Sequence, residues 1–202
     1  MPSRPSASES GTQANELPLL EFPDRDAWVA WLHEHHATAV GVWLKLAKKG
    51  SPRPTVTQAQ AIETAICFGW IDGQIGTVDQ HFYRQRFTHR RSGSKWSRIN
   101  RDRALELIEG GQMHPTGLAE VHAAQQDGRW EAAYEPQSAI QVPPDFQLAL
   151  DQAPAAADFF ATLTGARRYA FLYRIHDAKR PETRARRIAN FTALLAERKT
   201  LN

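Results

Sequence analysis

The chain has 202 residues, of which 42% are hydrophobic and 23% are charged, and these fractions are typical of one or two globular domains. No apolar run approaches the roughly 18 residues of a membrane-spanning helix, which excludes an integral membrane protein. A single cysteine, Cys67, excludes an internal disulfide framework and any metal site of the CxxC type. Residues 1–18 lack the apolar segment of a secretory signal, so we expect a soluble, cytoplasmic protein with no membrane insertion.

The net charge of +3 conceals an uneven distribution of charge along the chain. Residues 84–103 carry 8 Lys or Arg and 1 Asp, and residues 165–202 carry 10 Lys or Arg and 3 acidic residues. Residues 104–164 carry 9 acidic residues and 1 Arg. Two interpretations stay open: the acidic segment neutralises the basic segments within the fold, or a basic surface binds an anionic partner.

Helical and strand patterns alternate in the first 130 residues. Residues 1–17 have few large apolar side chains, so we predict a disordered tail, with order beginning near Phe22. The elements predicted after it are a helix with Asp24 as N-cap, a strand at 40–46, a helix from the capping box Thr57–Gln60 to Gly69, strands at 70–75 and 80–87, and helices at 97–110 and 115–127. Gly73, Gly76 and Asp79 connect the two later strands, which predicts a hairpin.

The pattern becomes entirely helical after residue 143. Apolar residues recur at spacings of three and four in four segments: 144–152, 154–163, 166–178 and 182–198. Residues 131–143 have little periodicity and are interpreted as a linker on the surface. We therefore predict an α+β fold, with a small antiparallel sheet and flanking helices in residues 18–130 and an all-helical subdomain in residues 144–202.

Several motifs occur together in this sequence: Cys67–Gly73, Phe87–Ser94, Trp96-Ser97 with Asn100, Asp127–Trp130 and Lys179–Ile188. Together they resemble the YdeI/OmpD-associated (OmdA, bacteriocin-protection) family of bacterial proteins, over residues 20–198. His89 departs from the pattern, in which a proline is expected, and a histidine there loosens the turn.

The resemblance implies a soluble bacterial protein linked to envelope stress and to tolerance of cationic antimicrobial peptides. It also implies a helical domain of the OmdA type in residues 144–202, and it implies no known reaction. The N-terminal half is similar to the small YdhG-like α+β domains, some of which are described as iron chaperones. An iron-chaperone function would use exposed acids, for which the segment 104–164 is the candidate.

Basic and hydroxyl side chains concentrate between the second hairpin strand and the following helix. Arginine offers planar, two-pronged donors for phosphate or carboxylate, and the N–H groups at a helix start attract anions. We therefore predict an anion site formed by Arg84, Arg86, Arg90, Ser94, Trp96, Ser97 and Asn100. In this site the rings of Trp96 and Phe87 would provide a stacking face beside the charges. The alternative is that the serines only cap the helix and that the arginines pair with the acidic segment.

Other titratable residues permit functional and structural interpretations. Asp72 and Asp79 could pair with the arginines or act as a general acid and base, although aspartate beside glycine is typical of turns. Cys67 lies on an apolar helix, which favours a core residue over a nucleophile. His81 and His89 lie near the two aspartates in the hairpin, but no spacing selects a metal, so we expect neither a metal nor a cofactor.

These patterns favour a non-enzymatic protein that binds an anionic small molecule or an acidic protein surface, and the resemblance adds stress protection. One alternative is an enzyme acting on a phosphorylated or carboxylated substrate, with Asp72 or Asp79 as the acid or base. A second alternative is a nucleic-acid-binding regulator that uses the helical stripe of Arg180, Arg184 and Arg187. We rank nucleic acid last, because no helix-turn-helix, RNP or zinc-finger motif accompanies the stripe. The structural alternative is that the arginines of the stripe are solvated or pair with other groups of the same chain.

Overall fold

A computed structural model of the chain describes residues 17–201, so the predicted tail lies outside the described residues except for Leu17. The elements in chain order are β1 (Leu19–Leu20), α1 (Arg25–His35), β2 (Gly41–Ala47), α2 (Gln58–Cys67), β3 (Trp70–Thr77), β4 (Phe82–His89), α3 (Arg98–Glu109), α4 (Pro115–Gln126), α5 (Pro144–Asp151), α6 (Pro154–Thr162), α7 (Gly165–His176) and α8 (Pro181–Ala196). The fold is α+β with a helical C-terminal region, as predicted. None of the described helices is long and apolar enough to cross a bilayer.

Backbone contacts divide the described chain into two compact units. The first comprises residues 17–92 and 111–120, and the second comprises residues 93–110 and 121–201. The domain boundaries predicted at residues 130 and 143 rest on changes in the periodicity of apolar residues, and they stay a prediction.

The first unit is built on a four-stranded sheet in the order β1-β2-β4-β3. Strands β3 and β4 form the predicted antiparallel hairpin, and β4 also pairs antiparallel with β2. Strand β1 pairs parallel with β2, so the sheet is mixed and the prediction of a purely antiparallel sheet is wrong. Order also begins before Phe22, because Pro18 already accepts a hydrogen bond from the Trp43 N–H at 2.9 Å. A two-residue strand is too short to show a period-two pattern.

Alternation along β2 and β4 gives the sheet one buried face, formed by Val42, Leu44, Leu46, Gln85 and Phe87. Helix α1 begins at the predicted cap, because the Asp24 carboxylate accepts from the Ala27 N–H at 2.9 Å. Its Trp28 is fully buried and lies edge-on to Phe87, with ring centroids 5.9 Å apart. The predicted capping box of Thr57 and Gln60 is present at the start of α2.

The second unit has an aliphatic and aromatic core supplied by α5, α6, α7 and α8, whose most buried members are Phe146, Leu150, Ala156, Phe171, Leu172, Ile175 and Leu195. Arg184 forms a two-pronged pair with Asp145, at 2.5 and 2.8 Å, and donates to the Ile175 carbonyl. Arg187 donates to the Arg174 carbonyl. Intramolecular pairing is therefore confirmed for these two members of the basic stripe.

Candidate functional site

The residues of the predicted anion site fall in both units. Arg84, Arg86 and Arg90 belong to the first unit. The other members belong to the second unit: Ser94, Trp96, Ser97 and Asn100. The predicted site therefore divides into an arginine group in the first unit and a helix-start group in the second.

The start of α3 is occupied by the protein's own acceptors. The Ser97 hydroxyl accepts from the Asn100 N–H at 3.1 Å, and the Arg98 N–H donates to the Tyr134 carbonyl at 2.9 Å. The Ser94 carbonyl accepts from the Arg129 guanidinium at 3.0 Å. The capping interpretation is thus confirmed for Ser97, and two of the backbone donors at this helix start, those of Arg98 and Asn100, already have partners within the chain.

The two aromatic side chains expected to stack on a ligand are buried. Trp96 is 1% exposed and packs against Trp130, with ring centroids 5.0 Å apart, and Phe87 is 0% exposed. The proposed stacking face therefore finds no support. Arg90 is also buried, and its backbone N–H donates to the Gly69 carbonyl at 3.1 Å. Arg84 and Arg86 are the accessible arginines of the predicted set in the first unit.

Arg84 and Arg86 lie on the face of the sheet opposite its buried face. Arg86 stands opposite Trp43 in the register of β2 and β4, and Arg84 stands opposite Lys45. The Arg84 guanidinium lies 4.5 Å from the centroid of the Trp43 ring. This cation–π contact holds the Arg84 side chain against the sheet while the group stays exposed.

Two glycines of β3 make room for these arginines. A Cβ at Gly73 would lie 3.4 Å from the Arg86 Nε, and one at Gly76 would lie 3.2 Å from the Arg84 Nε. Both side chains therefore extend across the neighbouring strand. The hairpin strands were predicted to be joined through both glycines, but both lie within β3, where Gly73 falls inside the register shift between Asp72 and Ile75 and Gly76 follows it.

The two arginines differ in charge balance from two other cations of the first unit, Lys45 of β2 and Arg53 of the following loop. Lys45 and Arg53 both pair with Glu21, at 3.0 and 2.9 Å. Within residues 17–201, neither Arg84 nor Arg86 has a carboxylate within ion-pair distance, and the buried Nε of Arg86 has no hydrogen-bond partner. We call Arg84, Arg86 and Trp43 the arginine face; it presents positive charge that no carboxylate of residues 17–201 neutralises by an ion pair.

The two aspartates proposed as acid and base lie apart from this face. The Asp79 carboxylate accepts from the N–H groups of His81 and Phe82, at 2.7 and 2.8 Å, which confirms the turn interpretation. These hydrogen bonds, that of His81 foremost, lower the pKa of Asp79. Asp72 accepts from Gln85 at 3.1 Å and stands opposite Phe87, on the other side of the sheet from the arginines.

Three histidines lie around Phe68, and the fold adds His114 to His33 and His36, which are close in sequence. The His114 ring stacks on Phe68 with centroids 4.9 Å apart, and it lies 4.7 Å from His36 and 5.7 Å from His33. Beside them Cys67 is buried, and burial raises the pKa of its thiol, which supports the core interpretation. Among the described residues, no cluster of three or more His, Cys, Asp and Glu could hold a metal ion.

The histidines of the hairpin are not part of this group. The His89 ring contacts Trp70, with centroids 4.9 Å apart, and its Nε2 hydrogen-bonds to the Ala39 carbonyl. His89 is the last residue of β4, so its replacement of the expected proline affects a strand end and not a turn. His81 hydrogen-bonds to its neighbour Gln80.

We expect the protein to lose stability as the pH falls below about 6.5 because of His114. Desolvation, followed by the nearby His36 and His33, lowers the pKa of His114 below its ordinary value of 6.5. The unfolded chain then binds this proton at a higher pH than the native protein. The free energy of unfolding attributable to His114 is therefore constant at higher pH and decreases as the pH falls through 6.5 toward the native pKa.

Urea denaturation between pH 7.5 and pH 5 measures this effect in the wild type and in His114→Gln. The variant should lose less stability over that range than the wild type. Arg25 and Cys67 line the same pocket as His114, so both are left unchanged. His122→Gln, at an exposed position of α4, is the control and should follow the wild type. Identical pH dependence in all three proteins would contradict the expectation.

The fold and the arginine face define an α+β protein with a cationic sheet surface and a helical C-terminal region. The chain belongs to the family described as Domain of unknown function (DUF8412), whose model matches residues 20–120. Residues 139–198 match the family described as Bacteriocin-protection, YdeI or OmpD-Associated (OmdA), so the C-terminal region is an OmdA domain. Neither a curated protein nor a solved structure matches the chain.

The two matches refine the resemblance drawn from sequence motifs. Lys179–Ile188 lies within the OmdA match, whereas Cys67–Gly73 and Phe87–Ser94 lie within the other matched region. The OmdA family model thus matches the C-terminal region, and residues 20–120 match the other family model. The arginine face lies entirely within residues 20–120. The similarity of the N-terminal half to YdhG-like domains stays a prediction.

Proposed function

We propose that this is a non-enzymatic bacterial protein of envelope stress and antimicrobial-peptide tolerance, which acts by binding an anionic small molecule or an acidic protein surface at the arginine face. The description of the OmdA family supports the protective role. The observation that carries the binding role is that Arg84 and Arg86 share one sheet face and have no ion pair with any carboxylate of the described residues.

The physical case for anion binding rests on preorganisation. Trp43 supports Arg84 from one side, and the glycines of β3 leave space for both side chains to lie across the sheet. A ligand therefore does not have to immobilise two free arginines, which reduces the entropy lost on binding. Two guanidinium groups on one face match the several acceptor oxygens of a phosphate or a carboxylate cluster.

We expect inorganic phosphate to raise the melting temperature of the wild type beyond the effect of sodium chloride at equal ionic strength. Stabilisation by a ligand that binds only the native state equals RT ln(1 + [L]/Kd), or about 2.7 kcal/mol when its concentration is a hundred times Kd. Arg84→Ala and Arg86→Ala should each abolish most of this gain, because each removes one set of donors. Thermal unfolding followed by circular dichroism measures it.

The matched control is Arg186→Ala, because Arg186 is an exposed arginine on α8 in the other unit. Arg184 is not a suitable control, because its guanidinium is paired with the Asp145 carboxylate and its removal would also break that pair. If all three variants lose the phosphate effect equally, the response is general screening by salt and the site at the arginine face is disproved.

The protective role is tested separately in cells. A strain lacking the gene should be more sensitive to a cationic antimicrobial peptide, and the wild-type protein should restore tolerance. The double variant Arg84→Ala/Arg86→Ala should fail to restore it at equal abundance, whereas Arg186→Ala should succeed. Full rescue by the double variant would separate protection from the arginine face, and unchanged sensitivity of the deletion strain would disprove protection itself.

A further inference from the structure

The second unit contains a cavity of about 640 Å³ that the predicted anion site does not use. Its walls come from the loop at Gly93 and Lys95, from the irregular segment 127–135, and from the end of α7 with the residues that follow it. Segment 127–135 lies between the two matched regions of the chain. Residues 131–135 of this segment belong to the predicted surface linker. A cavity of this size is within the range that holds a small organic molecule.

The rings of Tyr134 and Tyr173, which both line the cavity, form the aromatic part of its wall. Tyr134 and Tyr173 meet edge to face with ring centroids 5.2 Å apart, and Tyr169 lies 5.7 Å from Tyr173. The main chain of Tyr134 is fixed against the start of α3, because its N–H donates to the Trp96 carbonyl and its carbonyl accepts from Arg98. The Tyr169 hydroxyl donates to the Glu135 carbonyl at 3.1 Å. This aromatic wall is held in place by the surrounding backbone.

Three ion pairs lie around the aromatic wall, and the two other Lys, Arg, Asp or Glu side chains that line the cavity, Glu131 and Lys179, are exposed and opposite in charge. Lys95 forms an ion pair with Asp177 and also donates to the Tyr173 hydroxyl at 3.3 Å. Arg129 pairs with Asp127 at 2.7 Å, and Glu135 pairs with Arg98 at 2.8 Å. A ligand with a net charge would compete with these pairs, gain little from an exposed partner such as Glu131 or Lys179, or leave its charge uncompensated near apolar residues such as Ile140.

We propose that this cavity binds an uncharged, planar aromatic or heteroaromatic small molecule. Its ring packs against Tyr134 and Tyr173, and its polar edge hydrogen-bonds to the Lys95–Asp177 pair without breaking it. This ligand differs in charge and in location from the anion proposed for the arginine face, so neither proposal depends on the other.

Three probes that share one ring system and differ in charge test the proposal: 3-methylindole, which is neutral, indole-3-acetate, which is an anion, and tryptamine, which is a cation. Each is titrated into the full-length protein, and amide chemical shifts are followed by two-dimensional NMR. We expect 3-methylindole to bind about tenfold more tightly than either charged probe. Its largest shifts should fall on Gly128, Tyr134 and Tyr173, which line the cavity.

Variants distinguish stacking on the aromatic wall from nonspecific binding. Tyr134→Ala should weaken 3-methylindole binding about tenfold, whereas Tyr134→Phe, which keeps the ring, should bind like the wild type. Tyr83→Ala removes a half-buried tyrosine from the other unit and should also bind like the wild type. The wild-type shifts test the location even if Tyr134→Ala fails to fold. Equal affinity for the three probes, no binding of 3-methylindole, or shifts located elsewhere would overturn the proposal.

Discussion

Replacing Trp70 by alanine should lower the free energy of unfolding by roughly 3–5 kcal/mol, the range for truncating a buried aromatic side chain. Trp70 is the first residue of β3 and is 0% exposed. Its ring lies edge-on to Trp28 and Trp31, with centroids 6.4 and 6.0 Å away. Its indole N–H donates to the His36 carbonyl at 3.2 Å. Truncation therefore creates a cavity between the sheet and α1 and removes a hydrogen bond at the end of that helix.

Urea denaturation at constant pH measures the loss, and Trp43→Ala is the matched control. Trp43 lies on the same sheet but is only half-buried, so its truncation should cost less than about 2 kcal/mol. Trp70→Phe should fall between the wild type and Trp70→Ala, since it keeps an aromatic ring but loses the indole N–H. A loss below about 1 kcal/mol in Trp70→Ala would show that the ring does not support the core.

Local signals predicted most helices of this protein because their causes are local. Asp24, Thr57 and Ser97 each cap a helix through a contact three residues away, so the sequence itself contains both partners. The apolar spacing after residue 143 likewise predicts four helices whose observed limits differ by at most two residues from the expected ones. Strand β1 was missed because two residues carry no periodic signal.

The candidate site was only partly predictable because its decisive contacts are distant in sequence. The Tyr134 carbonyl occupies a donor at the start of α3, and Trp130 helps to bury Trp96. Both partners lie more than 30 residues beyond the residues they affect, so composition alone still favoured a free helix start and an exposed ring. Alternation along β4 did place Arg84 and Arg86 on one face, which the register confirms.

The role of the glycines shows the same limit. A glycine in a strand pattern indicates a turn, a bulge or a close approach, and the sequence alone does not choose among them. Gly73 and Gly76 were assigned to the turn, whereas in the fold they lie beneath the side chains of Arg86 and Arg84. The choice depends on the register between β3 and β4, which a shift after Asp72 alters within the strand.

Replacing Gly117 by alanine should destabilise the protein by about 3 kcal/mol, the upper end of the usual range for an overpacked site. Gly117 lies in the first turn of α4, where a Cβ would be 2.2 Å from the Cys67 carbonyl oxygen and 2.8 Å from that of Ile66. These are backbone atoms, so no side-chain rotation relieves the clash. The His114 N–H donates to the same Cys67 carbonyl at 3.1 Å. A shift of α4 away from α2 would therefore also weaken this hydrogen bond, which satisfies a carbonyl in the last turn of α2.

Two opposing effects decide the sign of this result. Alanine is better than glycine inside a helix by about 1 kcal/mol, which alone would make Gly117→Ala stabilising. The steric effect prevails because contacts of 2.2 Å with backbone force two helices apart. Gly93→Ala is the matched control, since a Cβ there meets no atom within 4 Å, and it should stay within about 0.5 kcal/mol of the wild type. An unfolding midpoint for Gly117→Ala at or above that of the wild type would show that α2 and α4 do not pack this closely.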